Sequence, residues 1–349
     1  MKKIINKLNE GEIEEIYQRI VSPHFKELNK ERRKLQQWLV AIVFFTASIF
    51  LMGGMYYFHK DVSQFIIYSI FTFVLTPIII FLVKLIFYDP KKFRFRNIFK
   101  EKIVNQLVND LYENITYTPN KGINHKVFND CQIFPLRPNR YKTEDHFSGT
   151  KQGIPFEFAE IRAEHKGNNS SPTLIFCGTF FTAKFNKKLS AKTIVYPDLA
   201  EKAFGRVLGT GLQKFFTGLS NKISELNPLK LANQKNIHLI KLENTEFEKE
   251  FAVYSEDQIE ARKILTPVIM ENLVKLQRST KFRIYASFLD NRVYFAINTN
   301  KDMFEPGIFS QLISKKDILL WSQTLDLFLN IVTELDLAND IFVPINKGA

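Results

Sequence analysis

Between Trp38 and Val83 the ordinary mixing of apolar and polar positions stops. Trp38–Phe58 and Phe65–Val83 are two charge-free apolar runs separated by only six residues, His59 to Gln64. Each approaches the ~20 residues that carry a helix across a hydrocarbon core of ~30 Å. A soluble helix of that length keeps a polar stripe, and neither run has one. The connector is too short for a domain, so the pattern predicts an antiparallel transmembrane hairpin. Ala47 and Gly54 on the first helix, with Ser69, Thr72 and Thr76 on the second, are the expected close-packed seam. Pro77 is expected to kink the second helix. Intramembrane charge, the usual mark of a transport path, is absent from both runs, which makes the hairpin an anchor.

Outside the anchor the periodicities are those of water-facing structure. Residues 1–37 read as a helical segment interrupted at Pro23. Residues 84–117 form a basic juxtamembrane segment whose helix, Asn97–Tyr112, places Ile103, Leu107 and Leu111 on one stripe. Residues 118–349 form the main domain. In it Phe156–Glu164 alternates but changes phase at Phe158-Ala159, which points to a bulge or a strong twist. Thr173–Phe185 is a strand with Gly178 as a candidate bend, and Ile237–Leu242 and Glu250–Tyr254 are short strands. Arg137–Gly153 reads as a polar loop. Phe282–Asn298 is a hairpin turning at Asp290-Asn291, which pairs Phe288 with Val293, Ala286 with Phe295, and Ile284 with Ile297 on one face. Helices are expected over Glu201–Leu226, over Glu256–Leu276 with a Ser255/Gln258 capping box and a kink at Pro267, and over Lys315–Asp336. Strands and helices without regular βαβ alternation give an α+β class with a mainly antiparallel sheet and amphipathic helices. A roll capped by the last helix, in the manner of pleckstrin-homology domains, is one form this allows.

Charge then sets the orientation. The 349 residues carry a net +12. Nine basic and six acidic residues precede the first run, and Lys84–Lys102 holds seven basic and two acidic; the connector has one of each, Lys60 and Asp61. The positive-inside rule puts both termini in the cytoplasm, in a multi-pass membrane protein. Lys91, Lys92, Arg94 and Arg96 are the expected contacts to anionic headgroups. From Ile237 onward the balance reverses, thirteen basic against sixteen acidic. The basic excess therefore belongs to the membrane surface, and no nucleic-acid motif accompanies it. The 37-residue segment before the first run, with six glutamates, is unlike a signal peptide. Cys131 and Cys177 lie far apart without a CxxC, and Cys177 reads as a buried apolar residue.

The stretch from Leu242 to Pro267, with its core Glu246-Phe247-Glu248-Lys249-Glu250-Phe251-Ala252-Val253-Tyr254-Ser255-Glu256-Asp257, resembles a family of bacterial membrane proteins of unknown function. Shorter matching pieces are Arg140-Tyr141 with Asp145 and Gly149, Phe158-Ala159-Glu160, Gly178 to Lys187, and Phe304-Glu305. The resemblance covers roughly Phe99–Leu337. It implies a two-helix anchor followed by a cytoplasmic α+β domain, and it transfers no activity and no catalytic residue.

Chemistry-bearing motifs are missing. Gly205-Arg206-Val207-Leu208-Gly209-Thr210-Gly211 lacks both the GxGxxG order and the P-loop GK[ST]. The six histidines form no zinc-ligand spacing, and there is no GxSxG elbow. No catalytic residue, metal or cofactor is assigned, and the balance is against an enzyme. The candidate binding residues are Arg140 and Tyr141, able to hold a phosphate or carboxylate, with Asp145 beside them. Arg283, Tyr285 and Tyr294 share the second hairpin face, which is either covered by the domain's own elements or open to a partner. The expected function is a membrane-tethered, protein-binding scaffold or assembly factor. The alternatives are an anionic-lipid-headgroup domain using Glu201–Leu226 with Lys184, Lys187 and Lys188, or an enzyme with a dispersed site.

Overall fold

The computed structural model describes residues 10–58, 73–74, 76–134, 136–168, 171–185, 187–197, 237–280, 282–300, 302–337 and 343–344. They fall into two compact units. A helical unit combines the described parts of Leu8–Leu107 with Phe304–Ile318, and a sheet unit combines Val108–Met303 with residues from Leu319 onward. The expected helix Glu201–Leu226, and with it the glycine-rich Gly205–Gly211, lies outside the described residues.

The helical unit starts with α1 (Glu10–Ile16), a π-turn at Tyr17–Val21, and α2 (Ser22–Phe58). A second helical stretch contains residues 76–83, a π-turn at Lys84–Tyr88, α3 (Asp89–Phe99), a π-turn at Lys100–Val104, and α4 (Asn105–Leu111). Pro23 and Pro90 each sit two residues past a π-turn. A proline ring crowds the carbonyl four residues back and offers no N–H. The inserted residue of a π-turn widens the backbone at that point. The helix expected to break at Pro23 therefore continues through it, and the basic helix begins well before Asn97.

These two stretches run antiparallel. Trp38 stacks on Phe87, Glu27 meets Lys102, and His24 meets Gln106. Val21, Leu28 and Leu35 are buried at seven-residue spacing on one, and Tyr88, Phe95, Phe99 and Ile103 on the other, the seam expected of paired helices. Past Leu35 the burial fades. Leu39, Ile42, Thr46 and Ile49 are only half-buried, and Ala47 is exposed because this stripe passes through its neighbour Thr46. Thr76 is buried as expected. The connector, Ser69 and Thr72 lie outside the described residues, as do nine of the nineteen residues of the second apolar run. Among the described residues no helix is long and apolar enough to cross a membrane.

The sheet unit is α+β. In chain order it comprises β1 (Ile115–Thr118), α5 (His125–Asp130), β2 (Arg140–Lys151), β3 (Ile154–His165), β4 (Thr173–Lys184), β5 (Lys187–Lys188), β6 (Thr193–Pro197), β7 (His238–Ile240) and α6 (Thr245–Glu248). There follow β8 (Phe251–Ser255), α7 (Gln258–Ile264), α8 (Pro267–Thr280), β9 (Arg283–Leu289), β10 (Arg292–Asn298), α9 (Lys315–Leu337) and β11 (Val343–Pro344). Nine strands form one antiparallel sheet in the order β1-β2-β3-β4-β10-β9-β6-β8-β7, and β5 pairs with β11. Among the described residues no pairing joins β1 to β7, the two ends of this order.

Both faces of this sheet are covered, which explains the phase change in β3. Phe156 and Phe158 point to one face, where Phe328 of α9 meets Phe181, Phe295 and Phe158 with ring centroids 4.5, 5.9 and 6.4 Å away. Ala159, Ile161 and Ala163 point to the other, into a core with Phe176, Phe180 and Ile194 under Phe128 and Phe134. The bulge itself lies in β2, where Asp145 and His146 together oppose Ala159 and Asp145 takes φ +56°. Gly178 lies where strands crowd, since a Cβ there would sit 2.1 Å from the Ile297 carbonyl oxygen.

The hairpin β9–β10 has the expected register, Val293 opposite Phe288, Phe295 opposite Ala286, and Ile297 opposite Ile284. The helix expected to kink at Pro267 is two helices, parted at Leu265 with ψ +68°. Asp257, not Ser255, caps the first: its carboxylate accepts from the Ile259 and Glu260 N–H groups. Ser255 is held by Thr193 and the Lys192 carbonyl instead.

Candidate functional site

The helical unit changes character over two turns of α2. Trp38, the first residue of the first apolar run, lies flat on Phe87 at a centroid distance of 5.4 Å, and Lys91 Nζ stands 4.4 Å from the Trp38 ring. Such a cation over an indole is worth about 0.5–2 kcal/mol. Lys92 and Arg94 follow on α3, Arg94 exposed. Arg96, expected beside them as a surface cation, is engaged elsewhere: its Nε lies 2.6 Å from Glu305, which also takes Lys100 Nζ at 3.0 Å. Beside α2 a groove of ≈ 410 Å³ is lined by Arg33, Gln36, Gln37, Val40 and Ala41, passing from charge to hydrocarbon along its length. Beyond it lies apolar surface. Of the twenty-one large apolar side chains exposed among the described residues, fourteen fall between Val40 and Phe87, with Phe44 at 69% and Phe73 at 85%.

In the sheet unit the expected binding residues do not converge. The segment read as an exposed loop is strand β2, with Asp145, His146 and Phe147 buried in succession because the bulge turns two neighbours inward. Asp145 accepts from the Tyr117 hydroxyl, and its own N–H donates to the Pro119 carbonyl. Tyr141 donates to the Ile123 carbonyl at 2.9 Å, and burial pushes its hydroxyl pKa upward. Arg140 is exposed, opposite Glu164. Five strand residues, roughly 16 Å, separate it from Asp145, so the two do not form one anion site. Tyr285 and Tyr294 lie inside the core under Phe128 and Phe134, beside Phe134 and Phe180 respectively, while Arg283 stays exposed. The domain's own elements cover that hairpin face. Four strand spacings, roughly 19 Å, part β2 from β9.

Several polar groups outside the candidate set are also held in the fold. His146 Nε2 lies 3.1 Å from Glu157, with Nδ1 buried. Glu256 accepts from the Lys192 N–H and Glu260 from the Ser190 N–H, so the residues leading into α7 and its first turn clasp this loop. Burial pushes the Glu260 carboxyl up and the Lys192 ammonium down. On α9, Asp326 accepts from the Tyr112 hydroxyl at 3.0 Å; burial outweighs that bond and raises its pKa to about 6. The acidic first turn of α7 was a legible signal; the others are set by residues far apart in the chain. What these groups do is hold loops and strands in place.

Residues 174–337, slightly under half of the chain, match the family described as Protein of unknown function (DUF3137). The match opens at Leu174, well after Phe99, where the resemblance begins, and this stretch is an uncharacterised domain. No curated protein matches. One solved structure resembles the chain, the crystal structure of the mycobacterial trehalose monomycolate transport factor A, TtfA. It is 9% identical, covers 67% of this chain and 91% of its own, and has a TM-score of 0.34. At that score nothing transfers from it.

Proposed function

We propose that the chain is a membrane-anchored module. Its runs Trp38–Phe58 and Phe65–Val83 form a hairpin through a bacterial cytoplasmic membrane, with both termini inside, and its sheet unit binds another protein there as a scaffold or assembly factor. The observation that carries the anchor is the concentration of exposed apolar side chains between Val40 and Phe87. A soluble chain rarely leaves such a patch open. In water it forgoes on the order of 10 kcal/mol or more of burial, which lipid restores. Trp38, Phe87 and Lys91 rim the patch, as amphipathic rings and long cationic side chains do at a membrane interface.

The topology is tested with Ser63→Cys in intact cells and a membrane-impermeant maleimide. Labelling before lysis is expected; labelling only after lysis refutes the orientation. The scaffold role is tested by crosslinking in cells, then purifying the full-length chain beside a version truncated after Tyr117. A protein held only by the full-length chain is expected, and an empty result counts against it. A second reading, recognition of anionic headgroups, is favoured by Lys91, Lys92 and Arg94 directly following the apolar surface. Residues 89–349 should then float with anionic liposomes at low salt, and failure to float removes it.

A further inference from the structure

The segment Phe304–Ile318 is not accounted for by anchoring or by the sheet. It is fastened against the two helices at its start, where Glu305 takes Arg96 and Lys100, and inside, where Leu312 and Ile313 are buried. Its tip is a tight loop closed by a bond from the Gly307 N–H to the Leu312 carbonyl at 3.0 Å. A Cβ on Gly307 would lie 2.1 Å from the Gln311 carbonyl oxygen, so the loop closes this tightly only around glycine. At the tip Phe309 is 74% exposed. A loop this well fastened gives no reason to leave a phenyl ring in water.

Its height along α2 supplies the reason. Gln36 Nε2 donates to the Ile308 carbonyl at 2.8 Å, and Arg32 Nη1 to the Ser310 carbonyl at 2.8 Å. Phe309 is therefore held level with residues 32–36. Trp38 is two residues further along, roughly 3 Å of helix rise, and exposed Val40 four residues, roughly 6 Å. That level is where α2 turns from Arg33 to Val40 along the groove described above, with Lys91 on the Trp38 ring nearby. We propose that the loop tip at Phe309 is a second membrane contact, a monotopic wedge that seats in the headgroup and acyl boundary beside the hairpin. Its occupant is a lipid bilayer. Continuity with the apolar surface of α2 and the exposed Arg33 at the charged end of the groove favour an anionic interface over a protein partner. The wedge would fix the helical unit against the membrane at a second point. It rests on the anchored reading.

The test uses the full-length chain in anionic phospholipid vesicles with an environment-sensitive NBD label on Phe309→Cys, compared with Phe44→Cys. Both native thiols are buried, Cys131 with its pKa pushed up to about 12 and Cys177 also raised, so the new thiol labels selectively. At position 309 the expectation is a blue-shifted emission, quenching by a shallow doxyl lipid, and at least about threefold protection from iodide relative to vesicle-free detergent solution. Quenching of position 44 by lipid while position 309 stays fully open to iodide overturns the wedge and leaves the anchor standing. Shielding of 309 from both quenchers means a protein covers it, and also overturns the wedge. Lipid quenching at neither position overturns the anchor and the wedge together.

Discussion

Asp326 makes the folded chain pH-dependent in a direction opposite to most carboxylates. Burial raises its pKa from 3.8 to about 6, against smaller opposing contributions from the Tyr112 hydroxyl and Lys151. The folded state thus holds the proton more tightly than the unfolded state. The penalty is absent below about pH 3.8, grows as pH rises, and is complete above about pH 6. A shift of about two units corresponds to about 3 kcal/mol, or about 2–3 allowing for partial exposure. Asp326→Asn keeps an acceptor for the Tyr112 hydroxyl and removes the ionisation. Urea unfolding of the full-length chain in detergent, in a Trp38→Phe background so that Trp321 alone reports, should find the variant about 2–3 kcal/mol more stable at pH 7.5. The two proteins should converge near pH 4. Other carboxylates contribute their own pH dependence, so the quantity to plot is the difference between variant and parent. A difference that is flat with pH, or a variant less stable at pH 7.5, would refute the reasoning.

Phe328→Ala should cost about 3–5 kcal/mol by the same assay, because it empties a site enclosed by Phe158, Phe181 and Phe295; a loss under about 1 kcal/mol would mean that α9 does not hold this face. Gly178→Ala should cost at least about 2 kcal/mol, since its methyl would meet the Ile297 carbonyl, and an unchanged urea midpoint would deny the close approach. Asp257→Ala should cost about 1–2 kcal/mol through two lost capping bonds, with faster amide exchange at Ile259 and Glu260 as its local signature.

What was legible in the sequence was whatever a short window contains. The β9–β10 register followed from alternation and a two-residue turn, because a slip of one position would exchange every buried and exposed side chain. The α9 stripe followed from helical periodicity, and the charge-free runs from hydropathy. Locally the Pro23 and Pro267 signals were the same, yet one helix continues through a π-turn and the other divides. The backbone around each proline decides that outcome.

The candidate site was less legible. Arg140, Tyr141 and Asp145 are close in sequence, but the bulge sends Asp145 inward to Tyr117 while Arg140 stays outside. Tyr285 and Tyr294 sorted correctly onto one hairpin face, but only the arrival of Phe128 and Phe134 made that face a core. Arg96 counted as a membrane cation until Glu305, 209 residues away, claimed it. By itself the chain determined where its apolar periodicity is strong, how its basic charge is distributed, and how its hairpin registers. Tertiary structure alone decided which polar groups are buried, which cations are paired, and where Phe309 is held. Periodicity is set by neighbours a few residues apart, whereas burial and charge pairing are set by elements that meet only once the chain has folded.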